Sequence, residues 1–130
     1  MINYGFTKHL DLSFSETVDF VVDELKNEGF GVITTIDLQQ KFKEKLGINH
    51  PKYIIIGACN PASAYQAISV EDHIGLLLPC NVIIFEKEDH TVLSIIRPTI
   101  ATGMIKNDEL NTIAASTEKK LKKVFDTIQD

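Results

Sequence analysis

The sequence predicts a single α+β domain in which a largely antiparallel sheet is covered by helices. Three observations predict it. The hydrophobic period switches repeatedly between the two of a strand and the 3.6 of a helix. Val82 to Glu86 and Thr91 to Arg97 read as a hairpin across Lys87-Glu88-Asp89-His90. The C-terminal stretch carries a continuous apolar stripe, Leu110, Ile113, Ala114, Leu121, Val124, Phe125 and Ile128, that needs a sheet to lie on. With 130 residues, 44% of them hydrophobic, the chain has enough material for one core, and residues 1–130 are read as one domain.

Taken in order, Tyr4 to Leu10 reads as a first strand, with Tyr4 and Phe6 on one face and Thr7 and His9 on the other. Ser13-Phe14-Ser15-Glu16 fits a capping box, and Val18, Val21, Val22 and Leu25 follow at helical spacing up to a stop at Gly29. Phe30, Val32 and Ile36, mixed with Thr34 and Thr35, form a second strand of β-branched residues suited to a pleated surface. Asp37 then caps a short helix, Leu38 to Leu46, with Leu38, Phe42 and Leu46 along one face and Lys41, Lys43 and Lys45 on a solvated one.

His50-Pro51 breaks the chain before a third strand, Lys52 to Ile56. Asn60-Pro61 is a strong helix start, since Asn is a favoured cap and Pro a favoured first helical residue. The helix should run to about Ile68 and turn Ala64, Ala67 and Ile68 inward. A polar segment, Ser69 to His73, and an apolar one, Ile74 to Leu78, lead to Pro79 and the hairpin. Pro98 closes the second arm, and Thr99 to Lys106 reads as a loop. Asn107 caps the final helix, where Asp108 and Glu109 suit the positive end of the dipole and Lys119, Lys120, Lys122 and Lys123 crowd towards the negative end. The preferred arrangement is a curved sheet gripping the C-terminal helix, and a ferredoxin-like sandwich is the alternative.

Composition excludes several classes of function. The net charge is −5 and Arg97 is the only arginine, so no basic footprint exists for nucleic acid or an anionic membrane. No apolar run approaches the roughly 18 residues of a membrane span, and the N-terminus lacks a secretion signal, which points to the cytoplasm. In that reducing compartment the only two cysteines are expected as free thiols. No nucleophile elbow, HExxH, Walker A or dinucleotide fingerprint is present.

Chemistry, if there is any, belongs to the two cysteines, each followed by asparagine: Gly57-Ala58-Cys59-Asn60-Pro61 and Leu78-Pro79-Cys80-Asn81. A thiol beside a helix N-terminus meets unpaired amide donors and the positive dipole end, which favour the thiolate, so Cys59 reads as a reactive or metal-binding sulfur. The other reading, which the sequence alone favours, is a small buried apolar residue at a strand-to-helix turn. The spacing from Cys59 to Cys80 is neither a CxxC redox motif nor a zinc knuckle. If the third strand neighbours the hairpin, both sulfurs approach one end of the sheet, where a shared divalent metal or a reversible disulfide becomes possible. Asn60 and Asn81 are candidate ligand-orienting amides, Asn60 also being a plain cap. His73, next to Glu71 and Asp72, is the histidine to test as a further metal ligand.

These blocks, with Ala64, Ala67 and Ile74-Gly75-Leu76-Leu77-Leu78 and the opening from Ser15 to Gly47, resemble the signature of the DUF302 proteins, a domain of unknown function. The resemblance implies a TBP-like α+β fold, a curved antiparallel sheet with a long C-terminal helix, and homodimers. Two functional expectations follow: a ligand-binding or thiol- or metal-dependent module sited at Cys59, Asn60, Cys80 and Asn81, or a non-catalytic homodimeric interaction protein that uses an exposed strand edge or helix face.

Overall fold

The computed structural model describes residues 2–130. In chain order the elements are β1 (Gly5–Leu10), α1 (Phe14–Asn27), β2 (Gly31–Asp37), α2 (Leu38–Leu46), β3 (Tyr53–Cys59), α3 (Pro61–Val70), a 3-10 helix (Asp72–Leu77), β4 (Cys80–Lys87), β5 (His90–Ile96), α4 (Pro98–Ala101), a 3-10 turn (Thr102–Met104) and α5 (Asp108–Thr127). The strands make one open sheet in the order β1-β5-β4-β3-β2, with every neighbouring pair antiparallel. Because β1 and β2 are the two edges, α1 carries the chain from one side of the sheet to the other. A ferredoxin-like sandwich would need the order β-α-β-β-α-β, which this chain does not have.

Register explains which face is covered. Ile54, Ile56 and Ala58 of β3 stand opposite Ile84, Val82 and Cys80 of β4, and Val82 and Ile84 stand opposite Ile95 and Leu93 of β5. With side chains alternating along each strand, these residues share one face, and they pack with Val21 and Leu25 of α1 and Leu121 and Val124 of α5 in one buried cluster. A second, smaller cluster of Ala67, Ile74 and Leu110 lies between α3, the 3-10 helix and the start of α5.

The helix ends follow their local chemistry. The Ser13 hydroxyl accepts from the Glu16 amide and the Glu16 carboxylate accepts from the Ser13 amide, completing the capping box. Asn107 caps α5 by accepting from the Leu110 amide, while its own side-chain amide donates to the Val70 carbonyl and ties the end of α3 to the start of α5. Leu110, Ala114, Leu121, Val124 and Ile128 of the predicted stripe are buried, with Thr117 among them, and Ile113 and Phe125 are half-buried.

Several expectations are corrected. Most of residues 99–106 is not a loop, since α4 and the 3-10 turn run from Pro98 to Met104, and the Glu118 carboxylate on α5 accepts from both the amide and the hydroxyl of Thr99. That cap comes from 19 residues away, so local sequence cannot show it. The hairpin turn is two residues, not four, with Glu88 and Asp89 both at positive φ and Lys87 paired with His90. The second strand is the exposed sheet edge, no residue of which is buried, with a bulge between Val32 and Thr34. No residue of α2 is buried either, and Leu46 is 64% exposed, so its stripe does not find a core. Ile68 is also exposed, leaving Ala64 and Ala67 as the inward residues of α3. Among the described residues no helix is long and apolar enough to cross a membrane.

Candidate functional site

A cavity opens on the seam between the two apolar clusters. Phe30, Ala58 and Cys80 bound it from the main core, and Ala67, Ile74 and Leu110 bound it from the smaller one. Its volume is about 70 Å³. The seam stays open because alanine is the lining residue at five places on four elements: Ala58 on β3, Ala64 and Ala67 on α3, Ala101 on α4 and Ala114 on α5. Side chains that stop at Cβ cannot meet across the gap, so packing is forfeited there.

Both cysteines line this cavity, and both are free thiols. Cys59 is the last residue of β3, opposite Gly31 of β2. Cys80 is the first residue of β4, opposite Ala58. Antiparallel pairing thus brings the end of one strand to the start of the next. Burial pushes the Cys80 thiol up to about 11, and the neighbouring Cys59 adds to the rise. In the ordinary pH range Cys80 is therefore a neutral thiol.

Asn60 also lines the cavity, where its Oδ1 accepts from the Ser63 amide at 3.1 Å and caps α3. The other polar wall groups are largely engaged. The Thr102 hydroxyl donates to Asn111 Oδ1, and the Thr117 hydroxyl to the Ile113 carbonyl. Among the described residues no lysine, arginine, histidine or carboxylate lies on the wall. Pro79 does not line it: the proline packs on the other face, where a Cβ at Gly57 would fall 2.7 Å from its Cγ and collide with Thr34.

Two residues expected at the site lie elsewhere. Asn81 is opposite Gly57, on the sheet face away from α1 and α5, and it is exposed. Alternation along β4 explains this, because Asn81 follows Cys80, which packs on the core face. His73 is on the exposed side of the 3-10 helix, its Nδ1 3.6 Å from Glu71 Oε2, and is no part of the cavity wall. Among the described residues no three His, Cys, Asp or Glu side chains come together as metal ligands. Two sulfurs alone do not fit a divalent ion such as zinc, which takes four ligands in structural sites and three protein ligands in catalytic ones. The Ala101 side of the cavity was missed in the sequence because residues 99–106 carry no periodic pattern.

The comparisons with known proteins agree with this architecture. Among solved structures, the crystal structure of an uncharacterized conserved DUF302 protein from Bacillus stearothermophilus is similar to this chain, with a TM-score of 0.89 at 28% identity over 96% of this chain and 98% of that one. No curated protein matches the sequence. The family model for the domain of unknown function DUF302 matches residues 6–128. A match over nearly the whole chain, on the fold described above, places this protein in the DUF302 family.

Proposed function

We propose that the protein binds a small, neutral, mostly apolar molecule in the cavity beside Cys59 and Cys80. The observation that carries this reading is the wall itself: alanines from four elements hold the seam open, and both cysteines sit on it with no fixed charge. Binding pockets are concave and apolar with a few convergent polar groups, the pattern that Asn60, Ser63 and the two thiols supply here. A reducing cytoplasm, the compartment expected from the sequence, would keep both thiols free.

Xenon is a suitable test because apolar cavities take it up without specific chemistry. Under xenon pressure, the amide and methyl NMR signals of Ala58, Ala67, Leu110 and Ala114 should shift together and saturate. The shifts should vanish in Ala114→Leu, which fills the cavity from α5. Shifts scattered over the surface, or unchanged by that substitution, would remove the reading.

A second reading is favoured by one observation, the wholly exposed edge strand β2 with Val32, Ile33 and Ile36 on it. An edge without lysine or proline invites another strand, and a second copy of β2 would supply one as a homodimer. Sedimentation at micromolar concentration should then show a dimer that Thr34→Lys dissociates; a monomer at that concentration would count against it.

A further inference from the structure

Size, polarity and nucleophile together narrow what the cavity admits. Its volume of about 70 Å³ is roughly half of the ~150 Å³ that holds benzene, so an enclosed occupant has only a few non-hydrogen atoms. The wall offers no counter-ion, and burying an unpaired charge is expensive, so the occupant is neutral. The thiols are the softest nucleophiles on the wall, and a polarizable sulfur suits a soft, uncharged electrophile. With Asn60 Oδ1 taken by the Ser63 amide, the Asn60 NH₂ is left as a donor for a carbonyl oxygen.

We propose that the cavity captures short neutral α,β-unsaturated carbonyl compounds, acrolein being the simplest, with Cys59 as the nucleophile and the Asn60 amide as donor to the carbonyl oxygen; this rests on the small-molecule reading above. The Cys59 sulfur bonds to the β-carbon, and the π pair of the C=C bond shifts to give an enolate whose oxygen accepts from the Asn60 NH₂. The proton lost by Cys59 returns to the α-carbon. The product is a neutral thioether, formed without oxidant or leaving group, and the uncharged wall tolerates it. Cys80 remains a thiol: buried and pushed up to about 11, it is ionised in only about one molecule in ten thousand at pH 7.

The test is brief exposure of the folded protein to substoichiometric acrolein at pH 7, read by intact mass and peptide mapping. One adduct is expected per chain, on Cys59, at least about tenfold faster than on the urea-unfolded chain, as a preorganised site requires. Cys80→Ser should label like the wild type and Cys59→Ser should not label. Ala114→Leu and, from the α4 side, Ala101→Val should slow the reaction while circular dichroism shows them folded. The charged reagent iodoacetate should gain nothing from the folded state.

Adducts on Cys80 or on lysines, equal rates in folded and unfolded chains, or Cys59 labelling indifferent to both cavity-filling substitutions would each overturn the capture. Xenon binding separates the two failures. Xenon shifts without accelerated labelling sink capture alone, and the absence of both sinks capture and binding together.

Discussion

Ala58 and Cys80 face each other across the β3–β4 ladder, so the residue after Ala58, Cys59, ends its strand beside the residue that opens the next. The 20 residues between the cysteines are used by α3 and the 3-10 helix, which leave the sheet, roof the cavity and return. The two thiols share a wall because of strand pairing, yet their surroundings differ: Cys80 belongs to the main core, packed against its buried residues.

Cys80 makes stability depend on pH. Its thiol is raised from an ordinary 9.0 to about 11 by burial and by Cys59. Between those values the unfolded chain has lost a proton that the folded chain keeps, so stability falls as pH rises. The contribution is fully present below pH 9 and is lost by the time the pH passes 11, about 3 kcal/mol in all as an upper bound. Urea unfolding of the wild type and Cys80→Ala at several pH values should show their difference shrinking across that window and staying flat from pH 6 to 8.

Gly57 is a packing requirement. A Cβ there collides with Thr34 on β2 and crowds Pro79 on the return to β4. Gly57→Ala should cost about 1–3 kcal/mol by overpacking, measured as a lower urea midpoint at unchanged m-value. Gly31 has open space at the same point, and Gly31→Ala should shift the midpoint far less.

Glu118 holds α4 in place. Its carboxylate accepts from the Thr99 amide at 3.0 Å and the Thr99 hydroxyl at 2.6 Å, and from Arg97 Nε at 3.4 Å. Glu118→Ala strands these partly buried donors and should cost about 1–3 kcal/mol. Hydrogen exchange should accelerate first at residues 99–104, with the sheet protected; uniform acceleration would show that α4 is held by something else.

Lys8 closes the other end of α5. Its ammonium donates to the carbonyls of Phe125 at 2.6 Å and Ile128 at 2.7 Å, satisfying helix-end acceptors and meeting the negative end of the dipole. Burial lowers the Lys8 pKa from 10.5. Lys8→Met keeps the aliphatic stem and should lower stability by about 1 kcal/mol, with fraying confined to the last turn of α5 in hydrogen exchange.

Much of the fold was legible because it is written in local chemistry. Ser13 and Glu16, Asp37, Asn60 with Pro61, and Asn107 each start a helix through atoms within three residues, and all four starts lie where the sequence places them. Strand alternation identified the hairpin arms for the same reason. Less of the site was legible. Asn81 follows Cys80 in sequence just as Asn60 follows Cys59, but the first pair sits inside a strand, where neighbours diverge, and the second at a strand-to-helix turn, where they do not.

The sequence by itself determined the five strands, the starts of the four locally capped helices and most of the α1 and α5 stripes, since periodicity and capping act within a few residues along the chain. Only the tertiary structure decided that β2 lies at an edge with its β-branched residues in solvent, and that Glu118 builds a helix from an apparent loop. It also decided that alanines from four separate elements meet around two thiols and leave a hollow. Those outcomes depend on which distant segments become neighbours, and a cavity is a property of what fails to meet across space, which no local pattern of residues records.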